Sequence, residues 1–204
     1  IFSEAVPDLA PSWEILLCTI AVLSMVVGNL GAIMQTNIKR MLAFSSISHA
    51  GYLLIAVISK STLSGSSLLF YMLSYAFTTF GAFGIIILLG RKGEENLELE
   101  NYSGLAYKHP LMALSMTVFL LSLGGLPPFA GFVAKFYIFN AAIEEGFVTL
   151  VIIAVLNSAI SFYYYLKVVV FMYMKEAESE FQISLTPMTL FVVILGLIGT
   201  IELG

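Results

Sequence analysis

In "GGLPPFAGFVAKFYIF", residues 124–139, a lysine follows an apolar stretch that two glycines and two prolines interrupt. Lys135 is the residue in this chain whose type and place most readily do chemistry. It lies well inside the apolar run that Pro110 opens and Glu144 closes. Snorkelling to a headgroup therefore does not explain it. A charged lysine at mid-membrane costs about 2.5–3.5 kcal/mol on insertion scales. Pro127 and Pro128 lack amide donors, so a helix broken at Gly124, Gly125, Pro127 and Pro128 leaves carbonyls without partners. Within lipid, such carbonyls belong where protein or a hydrated cavity satisfies them. The break and the ammonium have the same need, a polar path in the interior. Burial disfavours a charged ammonium, and a lysine so placed can load and release a proton, which an arginine cannot. A structural lysine, paired with an acid or with carbonyls of the break, fits the same residues.

His49 is the second candidate, in "LAFSSISHAGYLL". At helical spacing Ser45, Ser46, His49 and Tyr52 fall on one face and form a hydrophilic stripe within an apolar run. The stripe reads as a hydrated seam with a histidine relay, or as interhelical hydrogen bonding around a neutral histidine bonded to a serine or carbonyl. Tyr71, Ser74 and Thr78 share another face, as do Asn157, Ser161 and Tyr164; helix packing accounts for both sets. "SFYYYLK" reads as an interfacial aromatic belt beside a snorkelling Lys167. Cys18, the single cysteine, reads as a packing residue and allows no disulfide or metal spacing. No nucleophile triad, metal cluster, phosphate loop, or quinone- or nucleotide-binding motif is visible. No redox active site and no bound cofactor are expected on this chain.

The elements that must position these residues are transmembrane helices. Of the 204 residues 59% are hydrophobic and 11% charged, against about a quarter charged in soluble domains. Mean hydropathy is +0.98. The composition calls for an apolar outer surface as well as an apolar core. The net charge of −4, with no basic cluster, gives no field for nucleic acid. Uncharged runs, each near the roughly 20 residues a bilayer requires, mark six spans of an all-α polytopic membrane helix bundle. They cover about 14–38, 41–59, 66–90, 110–144, 147–174 and 187–204, with 110–144 discontinuous at Gly124–Pro128. Residues 91–109 form the long polar loop, its acidic run a solvated surface. Lys39, Arg40, Arg91, Lys92, Lys108 and Lys175 fall on one side, and Lys60 on the other with Glu4, Asp8, Glu14, Glu144 and Glu145. The positive-inside rule makes the first side cytoplasmic and sets residue 1 outside. Ile1 and the apolar "GLIGTIELG" end read as cuts through a larger protein, so that 1–204 forms one transmembrane domain.

Three segments carry a resemblance: "GNLGAIMQTNIKRMLAFSSISHAGYLL" (28–54), "LSLGGLPPFAGFVAKFYIF" (121–139) and "ISFYYYLKVV" (160–169). Together they resemble the subunit N family of bacterial NADH-quinone oxidoreductase, respiratory complex I, within the wider Mrp-type antiporter family. The resemblance implies a fourteen-helix antiporter-like fold of two inverted repeats, each with one discontinuous helix, and matches this chain to the ninth through fourteenth helices. It matches the GGLPP break to the second discontinuous helix and Lys135 to the lysine of a central proton-moving axis, on the outlet side. His49 matches a histidine of the tenth helix. By the resemblance, the axis glutamate and two further lysines lie on earlier helices, so this segment holds part of one half-channel. NADH, flavin, iron–sulfur clusters and quinone then belong to partner subunits, and the partners of this chain are other membrane-arm subunits and the lipid bilayer of a bacterial inner (plasma) membrane. The implied function is proton translocation coupled to NADH:quinone electron transfer. A Mrp-type sodium/proton antiporter subunit, and a structural scaffold without its own pumping role, are the two other readings.

Overall fold

A computed structural model describes residues 10–90, 97–176 and 186–204. Eight α-helices follow in order among them: α1 (Ala10–Ile33), α2 (Ile38–Ile58), α3 (Ser64–Leu89), α4 (Leu105–Lys108), α5 (Pro110–Gly124), α6 (Ala130–Glu144), α7 (Val148–Met174) and α8 (Pro187–Glu202). A single 3-10 turn, Leu99–Tyr102, precedes α4. The described residues contain no strand, only one isolated bridge between Asn37 and Glu98.

Four helical segments are long and apolar enough to cross a membrane: Trp13–Ile33, Ile38–Ile58, Ser64–Leu89 and Val148–Met174. Pro110–Gly124 and Pro187–Glu202 are shorter apolar helices. The expected run over 110–144 is two helices, α5 and α6, of 15 residues each. The first boundary also differs from expectation. α1 stops at Ile33, and Asn37 accepts a 3.1 Å bond from the Arg40 amide to cap α2. That cap satisfies an otherwise orphaned donor, so Lys39 and Arg40 lie in the first turn of α2 rather than in a loop. Glu4, Asp8, Arg91, Lys92 and the acidic pair Glu94 and Glu95 lie outside the described residues.

α1 packs along α2, α3 packs along α8, and α7 joins the two pairs through α1 and α5. Large apolar side chains cover the outside, among them Leu23, Phe80, Ile152 and Phe191. A continuous apolar exterior of that kind suits lipid, not water.

The interior divides into two apolar clusters. One gathers Met41, Ile85, Leu105, Met116, Phe119 and Tyr165 near the start of α2 and the end of α3. The other gathers Met25, Ile55, Tyr71, Ile138 and Ala154 near the end of α2 and the start of α3. Between these clusters lie the buried polar side chains Asn29, Ser45, Ser48, His49, Ser74, Thr78, Ser122, Lys135, Asn157 and Ser161. The polar layer occupies mid-bundle.

The segment after 97 is packed as well as polar. Leu99, Tyr102 and Leu105 are buried, while Glu98 and Glu100 remain exposed. Burial also pushes the Tyr102 phenol up from its ordinary value. Charges collect at the ends. Lys60 pairs with Glu14, and Ser61 donates to Glu144 at 3.3 Å, so three charged residues share one end.

Candidate functional site

The site is built by the way α5 stops. Gly125 takes φ +87°, a conformation that glycine adopts without steric cost. The Leu126 amide donates to Leu121 O at 3.0 Å and the Gly125 amide to Ser122 O at 2.9 Å. These are the two bonds of a Schellman ending. They leave the carbonyls of Leu123 and Gly124 without a helical donor. The Lys135 ammonium supplies it, with Nζ 3.0 Å from Leu123 O and 2.9 Å from Gly124 O.

Lys135 reaches this point because side chains in a helix lean toward its N-terminus. Placed in the second turn of α6, it points back across residues 125–129 to the end of α5. The negative end of the α5 dipole favours the cation there. A third bond goes to Ser158 Oγ of α7 at 2.8 Å, and Ser158 itself donates to Gly124 O at 3.1 Å. Lys135 is 5% exposed. Of the structural partners the sequence left open, it has the carbonyls, and a hydroxyl besides; no acid is bonded to it among the described residues.

Gly131 lets α6 approach α5. A Cβ at that position would fall on the Ser122 carbonyl oxygen. The Gly131 amide donates to Ser122 Oγ at 3.1 Å, which ties the start of α6 to the last turn of α5. Gly125 therefore ends one helix, and Gly131 lets the next lie against it beside the lysine.

Tyr52 connects Lys135 to His49. Nζ lies 5.0 Å from the Tyr52 ring centre, within cation–π range. The His49 ring meets the same tyrosine edge-on at 5.8 Å. His49 Nδ1 is 2.7 Å from Tyr71 Oη, and its Nε2 is 3.4 Å from Tyr165 Oη. The Tyr75 ring lies tilted against it, the two ring centres 4.7 Å apart. A neutral imidazole matches this setting, with one nitrogen donating and the other accepting.

The histidine's partners are tyrosines of α3 and α7, not the serine or carbonyl expected. Ser45 and Ser46 share its buried face, but both donate to Leu42 O, at 2.8 and 2.9 Å. Ser46 also accepts from Tyr75 Oη at 2.8 Å. The stripe is one face, yet its serines reach His49 only through a tyrosine.

Sequence reading missed Asn29, Ser48 and Ser158. Asn29 donates to Asn157 O and Oδ1 at 2.9 and 3.0 Å, and accepts from Ser48 and Tyr164 at 3.1 and 3.0 Å. All of its amide capacity is used. A signal was present: an asparagine between two glycines in an uncharged run, "GNLG". Asn157 and Tyr164 serve helix packing, as expected. Ser161 bonds only within α7, to Ser158 O at 2.6 Å. Thr78 lies 3.3 Å from both Ser122 and Thr200, joining α3, α5 and α8. Among the described residues, no three His, Cys, Asp or Glu side chains form a metal site.

An all-helical, lipid-facing bundle with a buried cation at a helix break defines a class, the integral membrane proteins with a polar interior layer. The family model described as "NADH:quinone oxidoreductase/Mrp antiporter, TM" matches residues 2–161, and the chain belongs to that family. It is 54% identical to the NADH-quinone oxidoreductase subunit N of Trichlorobacter lovleyi, covering 87% of this chain and 36% of that protein. Respiratory complex I from Thermus thermophilus with bound aureothin contains a similar chain. It has a TM-score of 0.79 and 35% identity, over 90% of this chain and 43% of that one. The Mrp complex from Dietzia contains another, at a TM-score of 0.74 and 29% identity, over 80% of this chain and 30% of that one. The chain spans 34–42% of the length of the curated relatives it matches.

Proposed function

We propose that this chain forms part of a proton-translocating membrane subunit of an NADH-quinone oxidoreductase, and that Lys135 is its proton-carrying group. The observation that carries the reading is the lysine's setting: buried, without a bonded carboxylate among the described residues, and held by carbonyls that lack helical donors because α5 ends there. Such bonds stabilise the charged form while the surrounding apolar bundle opposes it. A small change in nearby charge can then tip the balance, load the lysine or empty it. His49 and Tyr52 extend the polar route from Lys135 into the bundle, and Ser45 and Ser46 line it.

In this reading α5 and α6 are the halves of one discontinuous span, and six spans make a single transmembrane domain. The end bearing Lys60, Glu14 and Glu144 faces outward, and the bundle sits in a bacterial plasma membrane with the basic loops in the cytoplasm. Electron transfer, with its NADH, flavin, iron–sulfur clusters and quinone, occurs on partner subunits of the membrane and peripheral arms. A second reading, a Mrp-type antiporter subunit, is favoured by the likeness to the Mrp complex; it keeps the same lysine and changes the driving partner.

The test is Lys135→Met in the intact complex, with NADH-driven proton uptake followed in sealed vesicles. The expected result is assembled complex with normal electron transfer to an artificial acceptor and lost proton uptake. Unchanged uptake at full assembly would make the lysine structural and favour the scaffold reading.

A further inference from the structure

Tyr52 of α2 is buried, and its ring meets both Lys135 and His49. Its hydroxyl has no hydrogen bond among the described residues, although the side chains of Asn29 and Ser158 are its neighbours. A buried hydroxyl left unpaired is destabilising, and a phenylalanine in its place would avoid the cost. Both neighbours are engaged elsewhere. Asn29 Oδ1 accepts from Ser48 and from Tyr164. Ser158 Oγ accepts from Lys135 Nζ and donates to Gly124 O, so two bonds fix its orientation. The ammonium is fully committed as well, its three N–H groups going to Leu123 O, Gly124 O and Ser158 Oγ.

We infer that the Tyr52 hydroxyl is the hydrogen-bond partner reserved for the unloaded lysine, a positioning group that acts on Lys135 through Ser158. The inference rests on the proton-carrying reading of Lys135. A lysine that has passed its proton on is an amine with two N–H groups and one lone pair. The two N–H groups stay on Leu123 O and Gly124 O. The Ser158 hydroxyl turns away from Gly124 O and donates to the Nζ lone pair; Gly124 O keeps the lysine as its donor. Ser158 Oγ then accepts nothing from Nζ, and the Tyr52 hydroxyl donates to it. Each group of this set has a partner in the unloaded state, whereas the Tyr52 hydroxyl lacks one in the loaded state. The two parts of Tyr52 thus act in opposite senses. Its ring face favours the ammonium, and its hydroxyl favours the amine.

Other titratable groups line the same polar layer: His49 on α2, Tyr71 and Tyr75 on α3, and Tyr164 and Tyr165 on α7. α5 carries none, and Tyr137 and Glu144 of α6 and Glu202 of α8 are exposed. Tyr52→Phe leaves all of them in place and keeps the ring over Nζ, so it isolates the hydroxyl. The experiment follows the proton-to-electron ratio of the intact complex in sealed vesicles, driven by NADH, as a function of pH. Without its hydroxyl partner the amine is disfavoured, and the lysine stays loaded to higher pH. The alkaline half-point of the ratio is expected to move up by about 0.7 pH unit, the equivalent of one neutral hydrogen bond. Assembly should be unharmed, since the hydroxyl holds nothing in the loaded state. In a Ser158→Ala background, where the acceptor is gone, Tyr52→Phe should add no further shift. An unmoved half-point, in a complex whose uptake Lys135→Met abolishes, would overturn the inference and leave the proton-carrying reading standing. A full shift in the Ser158→Ala background would also overturn it, because the hydroxyl would then act by another route. Failure of Tyr52→Phe to assemble would overturn it by making the hydroxyl a structural bond. Uptake unchanged in Lys135→Met would overturn both readings together.

Discussion

Lys135 and His49 both touch the ring of Tyr52, but the fold surrounds them differently. Lys135 is bound by two backbone carbonyls at a helix end and by one hydroxyl beside an open cleft. His49 is enclosed by tyrosines from three helices, and the gap beside it is about 10 Å³. Carbonyls and the negative end of a helix welcome a cation. Phenol hydroxyls suit a neutral ring that can donate on one side and accept on the other. The comparison teaches that a buried ammonium in this bundle is received by backbone at a helix end, and a buried imidazole by side chains.

Gly131→Ala should break the lysine's host most severely. The new methyl meets the Ser122 carbonyl, which is backbone and cannot yield. A loss of about 3 kcal/mol is expected, at the upper end of overpacking costs, and would be read as loss of the subunit from the complex on native gels. Tyr71→Phe attacks the other host by removing the 2.7 Å partner of His49. Stability should fall by about 1.5 kcal/mol, with coupled proton uptake falling alongside. Tyr75→Phe keeps the ring against His49 and loses only the bond to Ser46, so thermal stability should fall while uptake per electron holds.

Ser158→Ala leaves Lys135 its two carbonyls. About 1 kcal/mol is expected, with assembly intact and proton uptake slowed, and Ser158→Thr should restore the rate. The smallest effect belongs to Gly65→Ala near the start of α3, where a Cβ would meet nothing within 4 Å. It should raise the melting temperature, from about 0.4–1 kcal/mol of reduced unfolded-state entropy. A loss there matching that at Gly131 would show that glycine itself, and not the close approach of α5 and α6, is what the fold requires.

Much of this was legible in the sequence because lipid imposes simple rules. Long uncharged runs had to be helices, and a lysine inside one had to find polar partners there. The glycines and prolines of residues 124–128 pointed to the end of a helix, since proline removes donors and Gly125 suits a left-handed turn. What stayed hidden was the partner of each group. Ser158 is one serine in a run of apolar and hydroxylated residues, and only the packing of α7 against the end of α5 makes it a ligand of Lys135. Tyr165 sits in a run read as an aromatic belt, yet it faces inward, fully buried against His49. Helical periodicity gives a residue's face; it does not give the neighbour across the interface. The cap on α2 was missed for a smaller reason, the polar "QTN" having been absorbed into an uncharged run.

The central claim is that Lys135 works by gaining and losing a proton. The most direct measurement is the proton-to-electron ratio of the intact complex carrying Lys135→Arg, in sealed vesicles driven by NADH. The guanidinium can donate to the same carbonyls of Leu123 and Gly124 but holds its charge permanently. The account predicts an assembled complex whose ratio falls below that of the unaltered protein. An unchanged ratio would contradict it, because a fixed cation would then serve as well as a lysine.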